Sequence, residues 1–74
     1  MKELLRTNDM VVLSRVLSLL EGADIPHIVL DSHMSILEGS LGVLPRRVMV
    51  DEGLMIHARI LMAENGLARE VRDQ

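Results

Sequence analysis

"PHIVLDSHMSILEGSLGVLPRRVMVD", residues 26–51, is the stretch whose reading decides the fold. At its left end "PHIVLD", residues 26–31, is rich in branched side chains and alternates with a period of two, as a strand does. At its right end "RRVMVD", residues 46–51, repeats that pattern, with Val48 and Val50 on one side and Arg47 and Met49 on the other. Two strands are therefore predicted. The connection between them, residues 32–45, is longer than a hairpin needs and holds Met34, Ile36, Leu37, Leu41, Val43 and Leu44 among Gly39, Gly42 and Pro45. It is too apolar for an ordinary loop and too broken for a strand, so it needs a surface to lie against.

Working outward, "KELLRT", residues 2–7, predicts a first strand that ends in Thr7-Asn8-Asp9, a cluster whose side-chain oxygens can cap a following helix. From Met10 onward Leu13, Val16, Leu17 and Leu20 form one stripe of a 3.6-residue period. That first helix stops near Gly22–Asp24, where Gly22 or Asp24 takes the left-handed conformation and Pro26 bars continuation. Past the quoted stretch, Asp51 caps a second helix with the stripe Leu54, Ala58 and Leu61 and with His57 at its border; Asn65-Gly66 ends it. The tail, residues 67–74, is polar, with a weak edge strand around Leu67–Val71 as an alternative.

The order strand, helix, strand, strand, helix implies an α+β architecture: a ferredoxin-like βαββα(β) sandwich with two helices on one face of an antiparallel sheet, in one domain over residues 1–66. Alternation places Ile28, Leu30, Val48 and Val50 toward the helices. It leaves His27, Val29, Asp31, Arg47 and Met49 on the far face, with either Leu4 or Leu5, and it leaves the second strand at an edge. Contiguous apolar surface of that kind asks for a lid or a partner. Burying four apolar side chains of residues 32–45 contributes several kcal/mol at roughly 25 cal/mol per Å², comparable to the net stability of a small domain.

Composition narrows the function classes. The chain has 74 residues, 49% of them apolar, with no cysteine and no aromatic side chain. A core of Leu, Ile, Val, Met and Ala must suffice, without disulfides, and small cores of this kind are often supplemented by association. A net charge of −3 offers no basic field for a phosphate backbone, and nothing aromatic is present to stack on bases, so nucleic acid is not expected as a partner. Apolar runs of a few residues fall far short of the ~20 that cross a bilayer, and the N-terminus lacks a signal-peptide layout. A soluble, cytoplasmic protein without a membrane partner is the expectation.

Several constellations were weighed for chemistry. His27, Asp31 and His33 are suitable ligand types, but along a strand His27 and Asp31 stand about 13 Å apart, so no metal site is assigned. "EGSLG", residues 38–42, with Arg46 and Arg47 behind it resembles an anion cradle, yet matches neither the dinucleotide fingerprint nor the P-loop. There is no cysteine nucleophile, no serine elbow and no paired carboxylates in an apolar pocket. No catalytic residue or cofactor is expected, and the chain does not read as an enzyme. Met34 and Met49 suit an adaptable docking surface as well as a core.

"DIPHIVLD", a Gly-containing loop and "LPRRVMVDEGLMIHARILMAENG" together resemble the small bacterial family named domain of unknown function 2007, described as "putative signal-transducing proteins". The resemblance covers residues 2–66 and rests on the turn at Ile25-Pro26, the strand Arg47-Val48-Met49-Val50, and Ala58 with Leu61 on the last helix. Asp24 stands where the family commonly has Gly, and Asp51 where it has Pro; both suit a cap. The resemblance implies a ferredoxin-like fold similar in topology to the nitrogen regulatory protein PII, with the excursion between strands two and three as the partner-contacting loop. It supplies no catalytic residues.

The favoured expectation is a non-catalytic regulatory module that binds a protein partner, or itself as a homodimer, through the open sheet face and residues 32–45, with Met34, Ile36, Leu37, Leu41, Val43, Leu44 and Met49 as contacts. The alternative is a small-ligand, anion or metal sensor that uses His27, Asp31, His33, Arg46 and Arg47.

Overall fold

In the computed structural model, which describes residues 1–30 and 45–71, three strands and two α-helices follow the expected order. β1 spans Lys2–Thr7, α1 Met10–Gly22, β2 His27–Leu30, β3 Arg46–Val50 and α2 Met55–Glu64. The sheet is antiparallel with the order β1-β3-β2, so β3 is central and β2 lies at an edge, compatible with a small ferredoxin-like fold.

The first strand holds the feature that organises the rest. Glu3 pairs with Met49 and Leu5 with Val48, so Leu4 is the extra residue of a β-bulge. Both Leu4 and Leu5 are consequently turned to the helices and fully buried. The expectation that one of them lies on the far face is corrected: an unbroken period of two cannot bury neighbours, and a bulge can. Each contributes about 1.5–3 kcal/mol relative to an exposed side chain.

The same pairing corrects the faces of β2. Residues directly opposite in an antiparallel ladder share a face. His27 lies opposite Val50 and Val29 opposite Val48, so His27 and Val29 belong to the helix side; Ile28, opposite Met49, and Leu30, opposite Arg47, belong to the open side. This reverses the faces that alternation along the sequence predicts for all four positions. A four-residue strand of mixed hydrophobic residues carries no internal evidence of which parity faces in, and the ladder to β3 decides it.

Both helices cover one face of the sheet. Leu13, Val16 and Leu20 of α1 and Met55, Ala58 and Met62 of α2 join Leu4, Leu5, Val48 and Val50 in one buried cluster, with Ile25 and Leu67 closing its ends. In α2 Ala58 is buried as expected, but Met55 and Met62 take the core positions expected of Leu54 and Leu61, which are half-buried. Asp51 caps a short 3-10 turn, Glu52–Leu54, through a 2.8 Å bond from the Gly53 amide, and the α-helix proper begins at Met55. Asp9 caps α1 as expected, its carboxylate accepting from the Val11 and Val12 amides at 2.9 and 3.3 Å. Asp24, with φ of 56°, takes the left-handed position after α1, and Gly66 with φ of 76° does so after α2. The tail strand is reduced to a 3-10 turn, Ala68–Glu70, and one bridge between Leu5 and Val71.

Two stability experiments follow from this packing. Asp9→Ala removes the acceptor for two orphan amides and is expected to cost about 1 kcal/mol, seen calorimetrically as a fall in Tm of about 4–8 °C. Leu5→Ala opens a cavity between β1 and the helices and is expected to cost about 2–5 kcal/mol in urea unfolding, enough to leave the chain largely unfolded if its total stability is near the low end for small domains.

Candidate functional site

The open face of the sheet is built by two cross-strand rows. Glu3, Met49 and Ile28 lie side by side in one, and Arg6, Arg47 and Leu30 in the next. Met49 and Leu30 are half-buried and Ile28 is 46% exposed, which makes an apolar strip along the β2 side of the face. No described helix covers it, since both belong to the cluster on the opposite side.

The β1 side of the face is charged, and the bulge is the reason. In a regular strand residues i and i+3 point to opposite faces. The extra residue at Leu4 returns Glu3 and Arg6 to the same side, where Arg6 grips the carboxylate with both donors: Nε to Oε2 at 3.0 Å and Nη2 to Oε1 at 2.9 Å. The hydrogen bond to Glu3, and then that carboxylate's charge, hold the Arg6 guanidinium above its ordinary pKa. Arg6 also lies directly opposite Arg47, and like charges so placed repel. Glu3 offsets that repulsion and leaves Arg47 as the basic corner of the face.

The sensor constellation is not drawn together by the described residues. Arg46, opposite Thr7, belongs to the helix side and reaches the Met10 thioether at the start of α1, whereas Arg47 is on the open side. His27 lies on the helix side at the sheet edge, with Nδ1 2.9 Å from the Ile25 carbonyl, an acceptor that requires the ring proton on Nδ1. Among the described residues no three His, Asp or Glu side chains are grouped to hold a metal ion. Asp31, His33 and the 38–42 cradle lie outside the described residues. So do Met34, Ile36, Leu37, Leu41, Val43 and Leu44. Of the expected contact residues, Met49 is described, and it stands on the open face as foreseen.

Sequence reasoning missed Glu3, Arg6, Ile28 and Leu30 as components of this face. The signal for the first two was present: adjacent leucines flanked by opposite charges three apart, in a strand, fit only a chain that gains one residue between them.

The elements and this face define a small, open-faced α+β sandwich whose second sheet surface carries an apolar strip beside a paired acid and base. A family model described as "Putative prokaryotic signal transducing protein" matches residues 1–66, and the chain belongs to that family, the domain of unknown function 2007. No curated protein matches the chain. Among the described residues, no helix is long and apolar enough to cross a membrane.

Glu3→Gln is expected to lower Tm by exposing the Arg6–Arg47 repulsion, and added salt should shrink the difference from the parent, because screening weakens both the pair and the repulsion. Thermal melts at low and high ionic strength measure it.

Proposed function

We propose that this chain is a non-catalytic interaction module of signal transduction that associates through the open face of its sheet, with residues 32–45 extending the contact. The observation that carries this reading is the apolar strip Ile28, Leu30 and Met49 on a face that no described helix covers. Partly exposed apolar side chains in adjoining rows are what a docking face offers. Membership of a family described as signal transducing supports the same reading. The face carries Glu3 as well as Arg6 and Arg47, so both signs of charge are available. A two-fold arrangement can set the acid of one copy near the base of the other, which makes a second copy of this chain the first occupant to test.

Sedimentation equilibrium over a wide concentration range is expected to show a rise in mass toward a dimer. Ile28→Asp places a charge in the strip and is expected to weaken association about tenfold or more while leaving the helical circular dichroism unchanged, because Ile28 lies outside the core. A mass that stays at one chain throughout would reject self-association by this face.

A further inference from the structure

On the other side of the molecule, between the turn after α1 and the outer flank of α2, lies a groove of about 340 Å³. That volume is in the range of sites that hold a few apolar side chains or a small ligand. Ile25 and Leu54 line it, and α2 supplies His57, Ile60, Leu61 and Glu64. Those four positions are i, i+3, i+4 and i+7, a second stripe of the helix beside the one that faces the core. The helix thus sets Ile60 and Leu61 between His57 and Glu64 on a flank beside its buried one.

Three observations bear on what the groove receives. First, apolar surface continues from its wall: Ile60, in the lining, is 52% exposed, and Ile56, one turn earlier on α2 and outside the lining, is 71% exposed. Second, the rim is acidic. Asp24 and Glu64 line the groove, and the adjoining shallower hollow adds Glu21, while among the described residues no lysine or arginine lines either. Arg15, which donates to the Asn65 carbonyl at 3.0 Å, forms no part of the lining. Third, Asp24 stands at φ of 56°, a backbone conformation glycine adopts without strain, and among the described residues its carboxylate has no hydrogen-bond or ion-pair partner. The fold uses its backbone as the left-handed cap after α1 and leaves its carboxylate at the groove open to a partner's charge.

We propose that this groove docks a cationic amphipathic segment of a partner protein, with one or two aliphatic side chains between Ile25, Leu54 and Leu61 and a lysine or arginine at the Asp24–Glu64 rim. A second copy of this chain is the poorer occupant, because a two-fold contact centred on the groove brings its carboxylates toward one another. The basic segment satisfies what the groove leaves open: area for the wet isoleucines, and positive charge for a rim without a described lysine or arginine. This surface is separate from the open sheet face, so the two readings stand or fall independently.

The probe is a pair of synthetic peptides with leucines at helical spacing, one with lysines at the remaining positions and one with glutamates, titrated into the isotope-labelled chain at low salt. The lysine peptide is expected to shift the amides of Ile25, Leu54, Ile60 and Leu61, the glutamate peptide to leave them unmoved, and added salt to weaken the effect. Asp24→Asn with Glu64→Gln keeps the left-handed turn, which asparagine tolerates, and is expected to weaken the lysine peptide about three- to tenfold. Ile60→Ser, at an exposed position, is expected to weaken it about fivefold without changing Tm. Equal shifts from both peptides, shifts confined to Ile28 and Met49 on the sheet, an unchanged affinity in the charge-neutral double variant, or no shift at millimolar peptide would each overturn the proposal. Shifts at the groove amides that appear on concentrating the chain alone would assign the groove to a second copy and overturn it likewise.

Discussion

The structure depends on one irregularity, the residue inserted into β1 at Leu4. Because of it the strand presents adjacent leucines to the helices, and a sheet of three short strands gains a buried side chain that a regular ladder would have turned to water. In a chain of 74 residues without disulfides or aromatic rings, a leucine more or less in the core is a large fraction of the margin between folded and unfolded. The same insertion places Glu3 beside Arg6 on the reverse of the sheet, so the packing of one side and the charge pattern of the other have a common origin. A strand in strict alternation would have lost the core leucine and the ion pair together.

The separation of the two faces follows from that geometry. Helix-facing positions gather Leu4, Leu5, Val48 and Val50 under α1 and α2, while the reverse carries an apolar strip along β2 and charge along β1. The helical layer is itself uneven. α1 buries Leu13, Val16 and Leu20 and leaves Met10 and Val11 exposed, and α2 buries Met55, Ala58 and Met62 and leaves Ile56 and Ile60 in solvent. Surface of that kind is costly to keep unless something covers it part of the time.

Much of the fold is legible in the sequence, for physical reasons that differ by element. The α1 stripe Leu13, Val16 and Leu20 and the cap at Asp9 are local signals: a period repeated over three turns, and one carboxylate placed before two free amides. The order of elements, and β2 at an edge, follow from them. What local reasoning could not supply was parity. In β2 the four residues His27–Leu30 give no polar alternation to read, and their facing is set by the pairing of Val29 with Val48 across the sheet. In β1 a bulge broke the count. In α2 a stripe drawn through the fully buried Ala58 fits Met55 and Met62 as well as Leu54 and Leu61, and the packing takes the methionines inward. The family was legible from Ile25-Pro26 and Arg47–Val50, because a turn before one strand and the composition of another are tied to the sheet itself.

The solitary bridge from Leu5 to Val71 leaves the sheet lopsided. β3 is hydrogen-bonded along both sides, whereas the outer rim of β1 is tied at a single point among the described residues. Amide protons along β3 are therefore released to solvent only when the whole domain opens, while those on the rim of β1 escape by fraying of the strap at Val71. Deuterium uptake would grade the sheet from its centre outward, and a protein that pairs with that rim would be recognised first by the protons it holds back.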